Sequence, residues 1–399
     1  MEQGTKEPAK PPPVRQYTGA SDSTTSSKPR PVSDQAPQPV TQAELQQLER
    51  EVNTNPNNPK RMLLYAQKLV EASTVLASEY GRADAKTTAK NSERYINDAH
   101  KRIKKLVSAG YPQAQFYLAD CYGTGSLGLQ IDTKEAFGLY QAAAKQGHPE
   151  AAFRTAMCCE LGPNEGGGTK KDFEKAVQWY RRAATLGDPS GMYKLGVILL
   201  KPLLGQGRNV AEAVTWLKRA ADAEPGNARA LHELAVVHDT CNLDPEVRNK
   251  VVADDAYSLD LFKQSASLGH KTAQYRLGQA YEYGNLGLPI DQRASISWYS
   301  KAAAQAEHQA ELALSGWYLT GAEGILKQSD TEAYLWARRA ATSEPPLPKA
   351  MFAMGYYSEQ GIGCPASGED ARKWYGRAAC KFSNFPGCAS SSTAWCCGR

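Results

Sequence analysis

An all-α solenoid is the fold class that the sequence predicts, and three observations predict it. One position, most often aromatic, recurs at Tyr140, Tyr180, Leu217, Phe262, Tyr299, Ala337 and Tyr375, in steps of 40, 37, 45, 37, 38 and 38 residues. That spacing belongs to an array of helix pairs. Three and four residues later comes a small pair, from Ala143-Ala144 and Ala183-Ala184 through Ser265-Ala266 to Ala378-Ala379. On a helix these positions lie beside the first, and small residues there let neighbouring axes approach toward the short end of about 8–10 Å. A second series pairs a small residue with a Leu-Gly-like step four and five positions on, as in Gly191 with Leu195-Gly196 and Ala273 with Leu277-Gly278. Seven hairpins follow from the two series.

Taken in order, residues 1–40 hold eight prolines and no Leu, Ile, Phe or Trp. Too little apolar surface is available to offset chain ordering, so a disordered Pro/Ser-rich tail is expected. Helical periodicity begins at Thr41, runs through Leu45, Leu48 and Val52, and breaks at Asn55-Pro56-Asn57-Asn58-Pro59. Helices over about 60–80 and about 87–107 come next. Residues 41–109 are therefore expected to form an N-terminal helical cap, because an end repeat otherwise exposes its apolar side.

The solenoid is expected over 110–379. Gly147, Gly187 and Gly269 stand seven residues after the recurring position, where a left-handed turn ends a helix. Asp132 with Glu135 and Ser329 with Glu332 have capping-box spacing. The long step predicts a surface excursion around 244–254. Gly166-Gly167-Gly168-Thr169-Lys170 lacks the phosphate-loop spacing and follows no strand, so it reads as a flexible connection. After Ala379 the pattern fails, and 380–399 is an irregular tail holding four of the nine cysteines.

Composition narrows the function classes. A net charge of +5 over 399 residues is mild, and with no concentrated basic block it argues against nucleic acid as the main partner. No secretory signal is visible at the start. The most apolar run, 195–204, is broken by Lys201-Pro202 and falls well short of the ~20 residues of a membrane span, so the chain reads as soluble. Cys121 and Cys158 share one repeat position with no second cysteine recurring opposite them, which fits free thiols in a reducing compartment. His232 and His238 are six apart and share no helical face, which disfavours a metal site. No nucleophile, base and orienting group can be assembled. A non-enzymatic chain without cofactor or metal is expected.

The order of aromatic, Ala-Ala, Gly, small residue, Leu-Gly and Tyr in units of this length resembles the Sel-one-like repeat, a relative of the tetratricopeptide repeat. Within the units, Ala136-Phe137-Gly138-Leu139-Tyr140, Ala230-Leu231-His232-Glu233-Leu234 and Leu314-Ser315-Gly316-Trp317-Tyr318-Leu319-Thr320-Gly321 are similar to the fungal chitin synthase regulators. The resemblance implies a non-catalytic regulator that binds a membrane chitin synthase at the cytoplasmic face, near septa or growth sites, and activates or positions it. Membrane association would then run through the partner. Some family members end in a prenylation box, whereas Cys396-Cys397-Gly398-Arg399 departs from one. The alternative is a generic scaffold of the same repeat class in signalling or protein quality control.

In a tetratricopeptide-like hairpin the first helix lines the concave face. On that helix Phe153, His232, Tyr275 and Phe352 are each followed, two turns on and so on the same face, by Glu160, Asp239, Glu282 and Glu359. One reading is an aromatic and acidic groove for a basic, partly apolar segment of a protein partner. The other packs the rings between repeats and leaves the carboxylates solvated. The carboxylates call for a cause in either reading, since acids near a helix C-terminus oppose its dipole.

Overall fold

The computed structural model describes residues 39–382, apart from 80, 225, 242 and 243. Among the described residues the regular structure is helical, with one isolated bridge between Ala322 and Leu326. Three helices come first: α1 (Gln42–Thr54), α2 (Pro59–Val75) and α3 (Ala85–Ser108). Thr41 and Asn58 cap the first two by accepting the amide protons of Glu44 and Arg61. The second helix stops at Val75, short of the predicted 80, where a turn with Glu79 at φ 48° redirects the chain. Val40, assigned above to the tail, is buried, and its N–H donates to Glu71 Oε1 at 2.9 Å. Most of the two predicted tails lies outside the described residues.

Seven hairpins follow. Their first helices are α4 (Pro112–Thr124), α6 (Pro149–Leu161), α8 (Pro189–Leu200), α10 (Ala228–His238), α13 (Lys271–Tyr283), α15 (His308–Thr320) and α17 (Pro348–Gln360). Their second helices are α5 (Thr133–Lys145), α7 (Phe173–Thr185), α9 (Val210–Ala221), α12 (Asp255–Ser267), α14 (Gln292–Ala304), α16 (Asp330–Ala341) and α18 (Gly368–Phe382). The last helix runs three residues past Ala379, where the repeat pattern was expected to fail.

Where the Leu-Gly step carries glycine, the recurring residue of the second helix lies on it. A Cβ on Gly278 would stand 2.6 Å from the Tyr299 ring, and one on Gly355 2.5 Å from Tyr375, so the glycines make room for the rings. Ala183 is fully buried between hairpins, and a Cβ on Gly191 of the next helix would stand 2.7 Å from its methyl. Small pairs thus set the spacing that the sequence implied. At the N-terminal end, α3 covers the array: Ala99, Ile103 and Leu106 pack with Ala114, Leu118 and Cys121 of α4 in one core cluster.

One connection gains an element that the sequence did not predict, and another differs from expectation. The excursion forms α11 (Pro245–Lys250), which buries Val247 against the third hairpin, with Arg208 bridging to Asp244 and to Glu246 at 3.3 Å. The triglycine stretch is packed, not a loose connection. Gly168 sits at φ +67° with a hypothetical Cβ 1.9 Å from the Thr133 carbonyl oxygen, so the loop lies directly on the start of α5. Only glycine permits that approach.

Candidate functional site

The first helices of neighbouring hairpins stand side by side and leave a concave groove of about 1100 Å³ over the first four repeats. Phe116, Phe153 and Tyr193 supply rings to its wall, Met157 and Val197 supply aliphatic surface, and Glu150, Arg154, Glu160 and Arg229 bring charge. Of the sequence-predicted residues, Phe153 and Glu160 line this groove. His232, Asp239, Tyr275, Glu282, Phe352 and Glu359 lie further along the array, outside its lining.

The carboxylates have internal partners. Glu160 Oε2 accepts the Tyr180 hydroxyl proton at 2.5 Å, Glu282 Oε2 that of Tyr299 at 2.5 Å, and Glu359 Oε2 that of Tyr375 at 2.9 Å. Asp120 does the same for Tyr140. Where the recurring residue is tyrosine, its ring closes the hairpin and its hydroxyl finds an acid near the end of the first helix. Burial, reinforced by the bonded carboxylate, pushes the Tyr140, Tyr180 and Tyr299 hydroxyls far above the ordinary phenol range. They act as donors only.

A second contact ties one repeat to the next. Lys194 Nζ stands 2.9 Å from Glu160 Oε1, and Arg276 donates to Asp239 Oδ2 through Nη2 at 2.6 Å and Nε at 3.1 Å. In both, the acid two turns beyond the ring pairs with the cation that directly follows the ring of the following repeat. Between the third and fourth repeats the signs are exchanged, with Lys201 Nζ 2.9 Å from Glu233. Asp239 is buried by its partners, its other oxygen accepting the Cys241 N–H at 2.8 Å. The expectation of four carboxylates facing a basic partner is therefore corrected for Asp239, which is enclosed, and for Glu160, both of whose oxygens are taken.

The rings also have framework contacts. Phe153 lies 5.8 Å from the Tyr180 centroid and Tyr275 5.7 Å from Tyr299. Phe352 is 5.2 Å from Tyr375 but remains 58% exposed, so it keeps most of a face for solvent or a partner. His232 packs against Phe262 at 5.7 Å and His270 at 4.9 Å. Burial first, then the neighbouring His270 and Lys201, lowers its imidazole to about 4. It is a neutral packing residue near pH 7.

What the sequence reasoning passed over is Arg154 and Arg229. Both are exposed, both line the groove, and neither forms an ion pair among the described residues. The reason for Arg154 is legible afterwards. It holds the position that Lys194 and Arg276 hold in their repeats, but the preceding repeat places Gly123 where the pairing acid would stand. Asp188, also in the groove wall, is buried and capped onto the Gly191 N–H at 2.5 Å, and burial raises its carboxyl above the usual range. Cys158 beside the groove is a free thiol that burial raises to about 11, and Cys121 likewise, so neither is a nucleophile at neutral pH. Among the described residues no cluster of His, Cys, Asp and Glu could hold a metal ion, and no helix is long and apolar enough to cross a membrane.

The chain matches the Sel1 repeat model seven times, over 112–148, 149–188, 189–224, 228–270, 271–307, 308–344 and 348–381. It is 43% identical over 269 residues to chitin synthase regulatory factor 3 of Schizosaccharomyces pombe, covering 67% of this chain and 28% of that protein. It is 38% identical over 332 residues to chitin synthase regulator SKT5 of Saccharomyces cerevisiae, covering 81% of this chain and 46% of that one. The chain thus spans less than half the length of these relatives. A solved Sel1 repeat protein from Oxalobacter formigenes superimposes with a TM-score of 0.52 at 23% identity, covering 84% of this chain and 86% of that one, a likeness of fold alone.

Proposed function

From the premise that the chain belongs to the Sel1 repeat family, we propose that it is a non-catalytic regulator that binds a membrane chitin synthase and activates or positions it in fungal cell-wall and septum synthesis. The observation that carries this reading is the identity to two chitin synthase regulators over 67% and 81% of this chain. The partner would be met at the cytoplasmic face, near septa or growth sites, by a partly apolar segment seated in the concave groove.

Physical chemistry supports the groove as the seat. Hairpins locked to each other by Glu160–Lys194 and Asp239–Arg276 present a preformed concave surface, and preformed sites lose little ordering entropy on binding. Phe153 and Tyr193 offer ring surface, and Arg154 and Arg229 offer cations that form no ion pair among the described residues. Aromatic and arginine side chains are the residue types that dominate binding at protein interfaces. Phe352, Glu359 and Glu282 would extend the contact toward the C-terminal repeats.

The test is co-purification of the full chain with chitin synthase from detergent-solubilised membranes, beside a variant carrying Arg154→Glu and Arg229→Glu. Capture by the wild type and its loss in the variant, with unchanged circular dichroism, supports both the partner and the groove. Undiminished capture by the variant removes the groove. A folded wild-type chain that captures no synthase removes the regulator reading and leaves a general repeat scaffold.

A further inference from the structure

Helix α3 carries seven cationic side chains and two carboxylates, a surplus as large as the +5 of the whole chain. The mild overall charge therefore conceals a concentrated block. At 3.6 residues per turn, Lys86, Lys90, Arg94, Lys101, Lys104 and Lys105 fall within an arc of about 100° and along about 28 Å of axis. The opposite face is the buried one, where Ala99 and Ile103 are fully enclosed and Leu106 nearly so. All six cations are exposed, and none forms an ion pair among the described residues. Like charges at i and i+4, as in Lys86–Lys90–Arg94 and Lys101–Lys105, work against the helix that bears them. In the array several cations are paired, as in Arg181–Glu212 and Lys201–Glu233.

We propose that this stripe is a contact surface for anionic lipid headgroups, by which the cap lies directly against a membrane surface. Three features select that occupant. The stripe is the exposed face of a single helix, and none of its six cations lines the concave groove. Five of its six cations are lysines, point charges suited to the mobile, unpatterned anions of a fluid bilayer, whereas fixed phosphates or carboxylates favour the bidentate geometry of arginine. Clusters of four to eight basic residues on an amphipathic helix are the size that recognises anionic lipids. No apolar residue interrupts the arc, so the helix would rest on the headgroups without inserting. This contact is separate from the groove and does not require a synthase.

The experiment is sedimentation of the full chain with phosphatidylcholine vesicles, with and without phosphatidylserine, at low ionic strength. Wild type is expected to sediment only with the phosphatidylserine vesicles, and added salt is expected to release it. Combined Lys86→Gln, Lys90→Gln, Lys101→Gln and Lys104→Gln should weaken binding by roughly fivefold per lysine. An equal charge change at Lys218, Lys263, Lys327 and Lys349 should leave binding in place. Equal binding to both vesicle types, binding unaltered by the α3 changes, or equal loss in the two variants would overturn the proposal. So would wild-type chain that ignores both vesicles but shifts the anisotropy of labelled duplex DNA, which would assign the stripe to nucleic acid.

Discussion

A single methyl sets the distance between hairpins. Ala183 has no exposed surface, and the neighbouring helix meets it with Gly191, a residue chosen for having no side chain. Ala183→Leu should overpack this contact and cost about 1–3 kcal/mol. Thermal unfolding followed by circular dichroism measures it, and an unchanged midpoint would mean that the contact yields freely. The tyrosines show the same economy of design with polar atoms. Tyr180 is fully buried, and its ring fills the hairpin while its hydroxyl donates to Glu160, which also holds Lys194 of the next repeat. The recurrence of tyrosine was plain in the sequence. The acid that answers it was visible only as a residue opposing a helix dipole, because the bond joins positions 16–20 residues apart whose approach depends on how the hairpin closes.

At the scale of one element, α10 carries a pH dependence. Above pH 6.5 the His232 imidazole is neutral in folded and unfolded chain alike, and stability does not vary through it. Below 6.5 the unfolded chain takes up a proton that the buried ring refuses until about pH 4. Stability is therefore lost as pH falls through that window, by about 3 kcal/mol in all. His270 and His148 are lowered in the same direction, chiefly by burial, and add to the loss. Melting midpoints from pH 7 to pH 4 should fall, and His232→Phe should flatten the profile. A variant profile parallel to the wild type would place the titration elsewhere. From sequence, His232 stood as a groove aromatic; the neighbouring repeat supplies the Phe262 and His270 rings that make it a packing residue.

Over the whole molecule, each repeat buries its apolar side only against the next, so the ends decide whether the array stands alone. The cap meets this need at the N-terminal end by laying Ile103 and Leu106 on Leu118. Removing residues 1–109 should expose that face and produce a lower melting midpoint or self-association, read by calorimetry and light scattering. A truncated chain as stable and monodisperse as the full one would show that the cap serves only to present α3. The seven helix pairs, their register and the small-residue contacts followed from the sequence alone, since each rests on a periodicity between residues near in the chain; α11 did not. The groove wall, the enclosure of Asp239, the packed triglycine loop and the unpaired Arg154 were decided by tertiary structure. They depend on which residue of one repeat meets which residue of the next, about 30–40 positions away, and one-dimensional spacing does not carry the angle at which successive hairpins stack.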